Sequence, residues 1–180
     1  MEVGKTVAVW LICKDGKQAG KVLLQQRAEK RIEDGREGKQ SFPYVCQPTW
    51  NGKIEETIDR AEAISRTVAR EAIEELGIAF ADSFDFSSLT LFYTGEFERG
   101  GKKWTAYNYV GAVPQWQLKR IMLHKGAMPN LLGVNSNDWP KIKVVGQEGI
   151  DPKSQIVLFE DQYRALRVLF SLGAILAYLR

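Results

Sequence analysis

Residues 70 to 78 read Arg-Glu-Ala-Ile-Glu-Glu-Leu-Gly-Ile and close a run, starting at Asp59, that has the apolar spacing of an amphipathic helix. Ala61, Ile64, Val68, Ala72 and Leu76 recur at helical intervals, so one stripe is suited to pack on a sheet. Glu71, Glu74 and Glu75 stand at i, i+3 and i+4, which makes them neighbours on one helix face. Like charges stacked in this way repel unless a cation sits among them, and hard oxygen ligands on a short patch suit Mg²⁺ or Mn²⁺. The competing reading is an ordinary solvated acidic face, so the surrounding residues have to decide. Asp59 followed by Glu62 has the form of a capping box, and Gly77 stands where helices commonly stop. The pattern predicts a helix over residues 60–76.

Those surroundings resemble the Nudix hydrolase signature, written Gly, five residues, Glu, seven residues, then Arg-Glu-U-x-Glu-Glu-x-Gly-U with U aliphatic. Arg70, Glu71, Glu74, Glu75, Gly77 and Ile78 match, Ala72 serves as a small U, and Glu62 stands seven residues before Arg70. The departure lies upstream, where nine residues rather than five separate Gly52 from Glu62, an insertion of four in the segment Lys53 to Ala61. Insertions in surface loops are cheap in free energy. The insertion therefore bears on loop conformation and substrate reach more than on metal binding.

The resemblance implies an α/β fold, a Nudix-like α-β-α sandwich around a mixed central β-sheet. It also implies a divalent-metal-dependent pyrophosphohydrolase. Glu71, Glu74 and Glu75 would be the metal ligands, with Mg²⁺ or Mn²⁺ as cofactor, and Glu71 or Glu75 would also orient or deprotonate water. Glu62 would assist the metal shell, and Arg70 would orient a glutamate through an ion pair. A backbone carbonyl near Asn51 and Gly52 is a further oxygen candidate. The chemistry is coherent, because the oxygens of a diphosphate are anionic and hydrolysis needs a cation both to neutralise them and to acidify a water. The expected substrate is a small nucleotide-type diphosphate.

Whole-chain properties bound this reading. The 180 residues suit one domain, residues 1–180, with a substantial core. A net charge of +3 with interleaved acids gives no long basic run, so nucleic acid is not an expected partner. Cys13 and Cys46 make neither a disulfide framework nor a metal pair, and are read as reduced thiols in a cytoplasmic protein. The apolar run Thr6 to Cys13 is too short to span a membrane and reads as a strand.

Along the chain, Thr6 to Cys13 and Lys21 to Gln26 are expected to pair as a hairpin, followed by a polar mobile loop over residues 28 to 42. Tyr44 to Trp50 has strand character and runs into Asn51-Gly52, read as a turn. Ser87 to Phe97 and Lys103 to Val113 form a second hairpin through Arg99-Gly100-Gly101-Lys102, with Tyr107 and Tyr109 on one face and Trp104, Ala106 and Val110 on the other. Residues 114 to 150 are weakly patterned: an amphipathic piece around Gln117 to His124, and a short strand at Lys141 to Val145. Glu160 to Arg180 is helical, with Ala165, Leu166, Leu169, Phe170, Ile175 and Leu179 apolar and Gly173 as a break. Its tail suits either a helical layer or a homodimer interface.

Other residues carry weaker signals. Glu96, Glu98, Glu148 and Asp151 are candidates for a later catalytic acid, although each is more often a plain surface acid. His124 is given no catalytic role. Trp50, Trp104, Tyr107, Tyr109 and Trp139 could stack on a base, but core packing explains most aromatics. Lys21, Arg27, Lys30, Lys102 and Lys103 could attract polyphosphate, with a solvated face as the simpler reading. Specificity is expected in the segments 28–42, 53–61 and 114–150.

Two further functions compete with hydrolysis. Leu23-Leu24-Gln25-Gln26-Arg27 followed by Phe42-Pro43 is similar to the first strand and loop of isopentenyl-diphosphate isomerases. That family needs a cysteine and metal-binding histidines where this chain has Pro48-Thr49-Trp50-Asn51-Gly52. A non-catalytic Nudix-like nucleotide-binding module is the other alternative, and the retained glutamates count against it.

Overall fold

The computed structural model describes residues 3–33, 36–55, 59–123, 127–145 and 156–173. Its centre is β1 (Gly4–Cys13), an apolar strand whose last seven residues are all buried. The hairpin partner β2 (Val22–Arg27) runs antiparallel to the second half of β1, with Leu11 opposite Leu23. Between residues 28 and 42 the expected irregular loop instead contains a small hairpin, β3 (Lys30–Glu33) with β4 (Arg36–Lys39), tied by an exposed Lys30–Glu37 ion pair at 2.6 Å.

Two short strands, β5 (Cys46–Gln47) and β6 (Trp50–Lys53), replace the single strand expected over Tyr44 to Trp50. β5 pairs with β2, while β6 pairs with the first half of β1. Asn51 and Gly52, expected to turn, lie within β6 opposite Ala8 and Val7. The physical reason is β1 itself: its edge offers unpaired backbone groups at Thr6 to Val9, and strand pairing satisfies them where a turn would not.

Helix α1 (Arg60–Leu76) has the expected bounds. The Asp59 carboxylate accepts from the Ala61 and Glu62 N–H groups, and Gly77 closes the helix at φ +89, a conformation L side chains resist. A short α2 (Ile78–Ala81) follows. The buried face of α1 is Ala63, Ile64, Thr67, Val68, Ala72 and Leu76; Ala61, expected on this stripe, is exposed in the capped first turn. Trp50 locks this face to β6, its indole N–H donating to the Val68 carbonyl at 3.1 Å within a cluster of Phe80, Phe84 and Phe86.

β7 (Thr90–Arg99) and β8 (Lys102–Val113) form the second hairpin, with Gly100 and Gly101 at φ +60 and +71 as the turn requires. β8 runs parallel to β1 over its whole length, so the sheet is mixed. After a short α3 (Gln115–Leu118), β9 (Ala127–Val134) covers the outer edge of β2. The sheet order is β5-β2-β1-β8-β7, with β6 on β1 and β9 on β2. β10 (Lys143–Val145) pairs in parallel with β11 (Val157–Phe159), which leads directly into α4 (Glu160–Ser171).

Helices cover both faces. Val7, Val9, Leu11 and Trp50 pack against α1, while Trp10, Ile12 and Val110 pack against Ala165, Leu166 and Leu169 of α4. This is the expected α-β-α sandwich with a mixed central sheet. The expected faces of β8 hold, with Tyr107 and Tyr109 on the α1 side and Val110 on the α4 side. Ile175 and Leu179, and with them the tail read as a dimer interface, lie outside the described residues. No helix among the described residues is long and apolar enough to cross a membrane.

Candidate active site

The chain from β5 to β6 crosses from the edge of β2 to the edge of β1, at the fork where these two strands diverge. Thr49 plugs the fork: its hydroxyl accepts from the Leu11 N–H at 2.9 Å and donates to the Leu23 carbonyl at 2.7 Å. Gln25, only 1% exposed, donates from Nε2 to the Thr49 carbonyl at 2.8 Å and to Glu75 Oε2 at 3.2 Å. Glu75 therefore sits over a polar seam in the sheet, with the Asn51 backbone N–H as a further donor. A buried glutamine held from below and a main-chain donor on the side fix where this carboxylate can point.

Glu71, one turn earlier, lies against the same strand. Its side chain is 13% exposed, and a Cβ at Gly52 would fall 2.2 Å from its Cγ and Cδ. Only a glycine in β6 lets the helix carboxylate come this close. Gly52 therefore serves close approach, and its carbonyl accepts from the Thr6 hydroxyl at 2.7 Å.

The structure separates the expected triplet. Glu71 and Glu75 face β6, whereas the Glu74 side chain is 53% exposed and stands on the rim, 3.6 Å from Arg70 Nη1. Arg70 Nη2 pairs with Glu71 Oε1 at 2.9 Å, the expected orienting contact. Glu62 is not brought to the pair. It lies in the first turn of α1, about 13 Å along the axis from Glu71, and pairs with Arg66 on the exposed surface. Glu96 and Glu98 are exposed on β7; His124, Glu148 and Asp151 lie outside the described residues.

Electrostatically the two inner acids are costly. Burial, then the charge of Glu71, pushes the Glu75 carboxyl up to about 8 against the stabilising effects of Asn51, Gln25 and Arg27. Glu71 is also raised, chiefly by burial and partly by Glu74 and Glu55, with Arg70 opposing. Desolvation thus outweighs mutual repulsion.

Among the described residues no group of three His, Cys, Asp or Glu side chains could hold a metal unaided. The chemistry of the donors nevertheless fits a small hard cation. Mg²⁺ is commonly held by one or two carboxylates together with waters and substrate phosphates, and a divalent charge would relieve both desolvated acids.

Sequence reasoning missed Gln25 and the Asn51 main-chain donor, because each acts through strand register that no local pattern reveals. It undervalued Arg27. This half-buried guanidinium closes β2, donates to the Ser41 carbonyl at 2.6 Å, and lies in the electrostatic field of both Glu75 and Arg99. Burial, then the like charge of Arg99, pulls its pKa down. Of the aromatics, Trp50 is core, Tyr107 and Tyr109 support α1, and Trp139 packs under α4. Cys46 is fully buried with its thiol pushed up to about 11 by desolvation, which disfavours the isomerase reading.

A NUDIX domain model matches residues 4–121 of the chain. Among solved structures, a NUDIX hydrolase from Alicyclobacillus acidocaldarius superposes with TM-score 0.63 at 14% identity, covering 95% of this chain and 92% of that one. The NUDIX domain of Shewanella oneidensis NrtR, complexed with ADP ribose, gives 0.59 at 15% identity, with 96% and 89% covered. A C. elegans Ap4A hydrolase binary complex gives 0.55 at 18%, with 97% and 98% covered. Identities this low speak for the fold. No curated protein matches the sequence significantly.

Proposed function

This chain belongs to the NUDIX family, and from that premise we infer that it is a Nudix-type pyrophosphohydrolase whose working acids are Glu71 and Glu75. Residues 1–180 act as one such domain, and the substrate is a nucleotide-type diphosphate. The observation that carries the assignment is the pair of desolvated carboxylates aimed at the glycine of β6 and held by Gln25, Arg70 and the Asn51 N–H.

Glu71 and Glu75 would hold Mg²⁺ or Mn²⁺, with Glu74 reaching in from the rim. Once bound, the ion would neutralise diphosphate oxygens and acidify a water. The protein's own residues do the rest. Arg70 keeps Glu71 turned toward β6, and Gln25 and the Asn51 N–H hold the Glu75 carboxylate in place. Arg27 supplies positive charge beside the acids, where a phosphate oxygen would lie. The exposed Glu62 contributes to the helix N-terminus, where an acid is favourable.

The test is a panel of ADP-ribose, coenzyme A, dinucleoside polyphosphates and oxidised nucleotides with Mg²⁺ or Mn²⁺, scored for phosphate or nucleotide release. Glu75→Gln is expected to cut turnover of the best compound by roughly 10²-fold or more, with Glu74→Gln milder. Full activity in both variants overturns the assignment.

A further inference from the structure

Strand β5 is two residues long and sends its side chains to opposite faces of the sheet. Cys46 is fully buried in the cluster beneath α4, while Gln47, half-exposed, takes the face on which Gln25 meets Glu75. Gln47 stands directly opposite Gln25 on β2. Side chains opposed in this way across an antiparallel pair have Cβ atoms about 4.5–5.5 Å apart, within reach for two carboxamides. Gln47 Nε2 donates to Gln25 Oε1 at 3.2 Å.

This bond completes Gln25. A carboxamide has two N–H donors and one carbonyl, and the donors here go to the Thr49 carbonyl at 2.8 Å and to Glu75 Oε2 at 3.2 Å. For a side chain only 1% exposed, each of these groups needs its partner within the protein. Turned over about its last bond, the Gln25 amide would press its oxygen against the Thr49 carbonyl and the Glu75 carboxylate, and would set its N–H groups against the Gln47 amide. Three neighbours therefore select one orientation, and buried networks of this kind reinforce one another. The Thr49 end is pinned, since its hydroxyl bridges Leu11 and Leu23 across the fork. The Gln47 end rests on a two-residue strand, so it is the end that a substitution can release.

We propose that Gln47 is a positioning residue for the Glu75 carboxylate, acting through Gln25: its N–H locks the Gln25 amide, and the locked amide aims its own N–H at Glu75 Oε2. The proposal rests on the hydrolase reading for its use in catalysis, because Glu75 is one of the two acids that would hold the metal ion. Partners that orient a ligating carboxylate are typically worth about 10–100-fold in metal affinity or activity. A purely structural Gln47 would stabilise the edge of β2 and leave that affinity alone.

The test compares the full chain with Gln47→Met, which keeps the length of the side chain and removes the donor. In the metal-free protein, NMR should show the Gln25 side-chain N–H protons exchanging roughly tenfold faster or more in the variant, with the backbone amides of β2 unchanged. Mn²⁺ titration followed by electron paramagnetic resonance should show affinity weakened by roughly tenfold or more. Gln25→Met should weaken Mn²⁺ binding at least as much, and adding Gln47→Met to it should cost nothing further, because a residue that acts through Gln25 has no route left without it. If Gln25→Met does not fold, the single variant Gln47→Met decides. A lower Tm with unchanged side-chain exchange and unchanged Mn²⁺ affinity makes Gln47 structural and overturns the proposal, and so does an additive loss in the double variant. A wild-type chain that binds no Mn²⁺ and hydrolyses no diphosphate fails the hydrolase reading instead, while the exchange measurement still decides whether Gln47 fixes Gln25.

Discussion

At Gly52 the absence of one methyl group decides whether the helix acids can reach the sheet. Gly52→Ala would place a Cβ 2.2 Å from the Glu71 side chain, and such overpacking costs about 1–3 kcal/mol. Chemical denaturation should show that loss, and Glu71→Ala in the same background should restore part of it, because the three atoms nearest the added Cβ all belong to Glu71. Glu75 is the second residue of this kind. Glu75→Gln should cut kcat/KM by roughly 10²-fold or more and yet raise the Tm of the metal-free protein at pH 8, since the amide removes a buried charge that nothing fully compensates. Both variants would show whether the acids are held at a cost in the free protein.

At the scale of elements, α1 does two jobs along adjoining rows. Ile64, Val68, Ala72 and Leu76 bind it to the sheet, and Thr67, Glu71 and Glu75 continue along its edge from core to cleft. Anything that loosens the helix therefore misplaces the acids. Asp59→Ala removes the cap seen on Ala61 and Glu62 and should lower stability by about 1 kcal/mol, read by denaturant midpoint at unchanged m. Arg70→Lys keeps the charge but loses the planar fork that reaches Glu71 and Glu74 together. Supporting contacts of this sort are typically worth about 10–100-fold in activity or metal affinity, and a fall in that range, with the fold intact by circular dichroism, is expected. This helix was legible in the sequence from cap to final glycine, because its signals are local. Strand β6 was not: Asn-Gly is a strong turn signal, and only the unpaired edge of β1 and the closeness of Glu71 explain why the pair lies extended.

For the molecule as a whole, protons and stability are linked through Glu75, and the proposed metal site would join them. In the folded protein Glu75 holds its proton up to about pH 8, against an ordinary value of 4.5. Between those values the folded state binds more protons than the unfolded one, so stability of the metal-free protein should fall as pH rises from about 4.5 to about 8 and then level off. Thermal melts across that range check the sign, and Glu75→Gln should flatten the curve. A divalent ion must displace the proton, so its affinity should rise with pH. Removal of the metal by EDTA at pH 8, starting from saturation near 100 times Kd, should cost about 2.7 kcal/mol, or about 5–10 °C in Tm for a chain of this size.

The sequence by itself determined α1, its ends, the acidic residues on it, the two hairpins and hence the family, because helical periodicity, caps and glycine turns act over a few residues. Tertiary structure decided where each acid sits and what surrounds it. Glu74 was sent to the rim, Glu62 was left on the surface, and Gln25, Arg27 and Asn51 were gathered around Glu75 from distant strands. Those groupings depend on the fork between β1 and β2 and on the register of β6. Register is a property of paired strands, set by contacts between residues far apart in the chain, and no single stretch of sequence contains it.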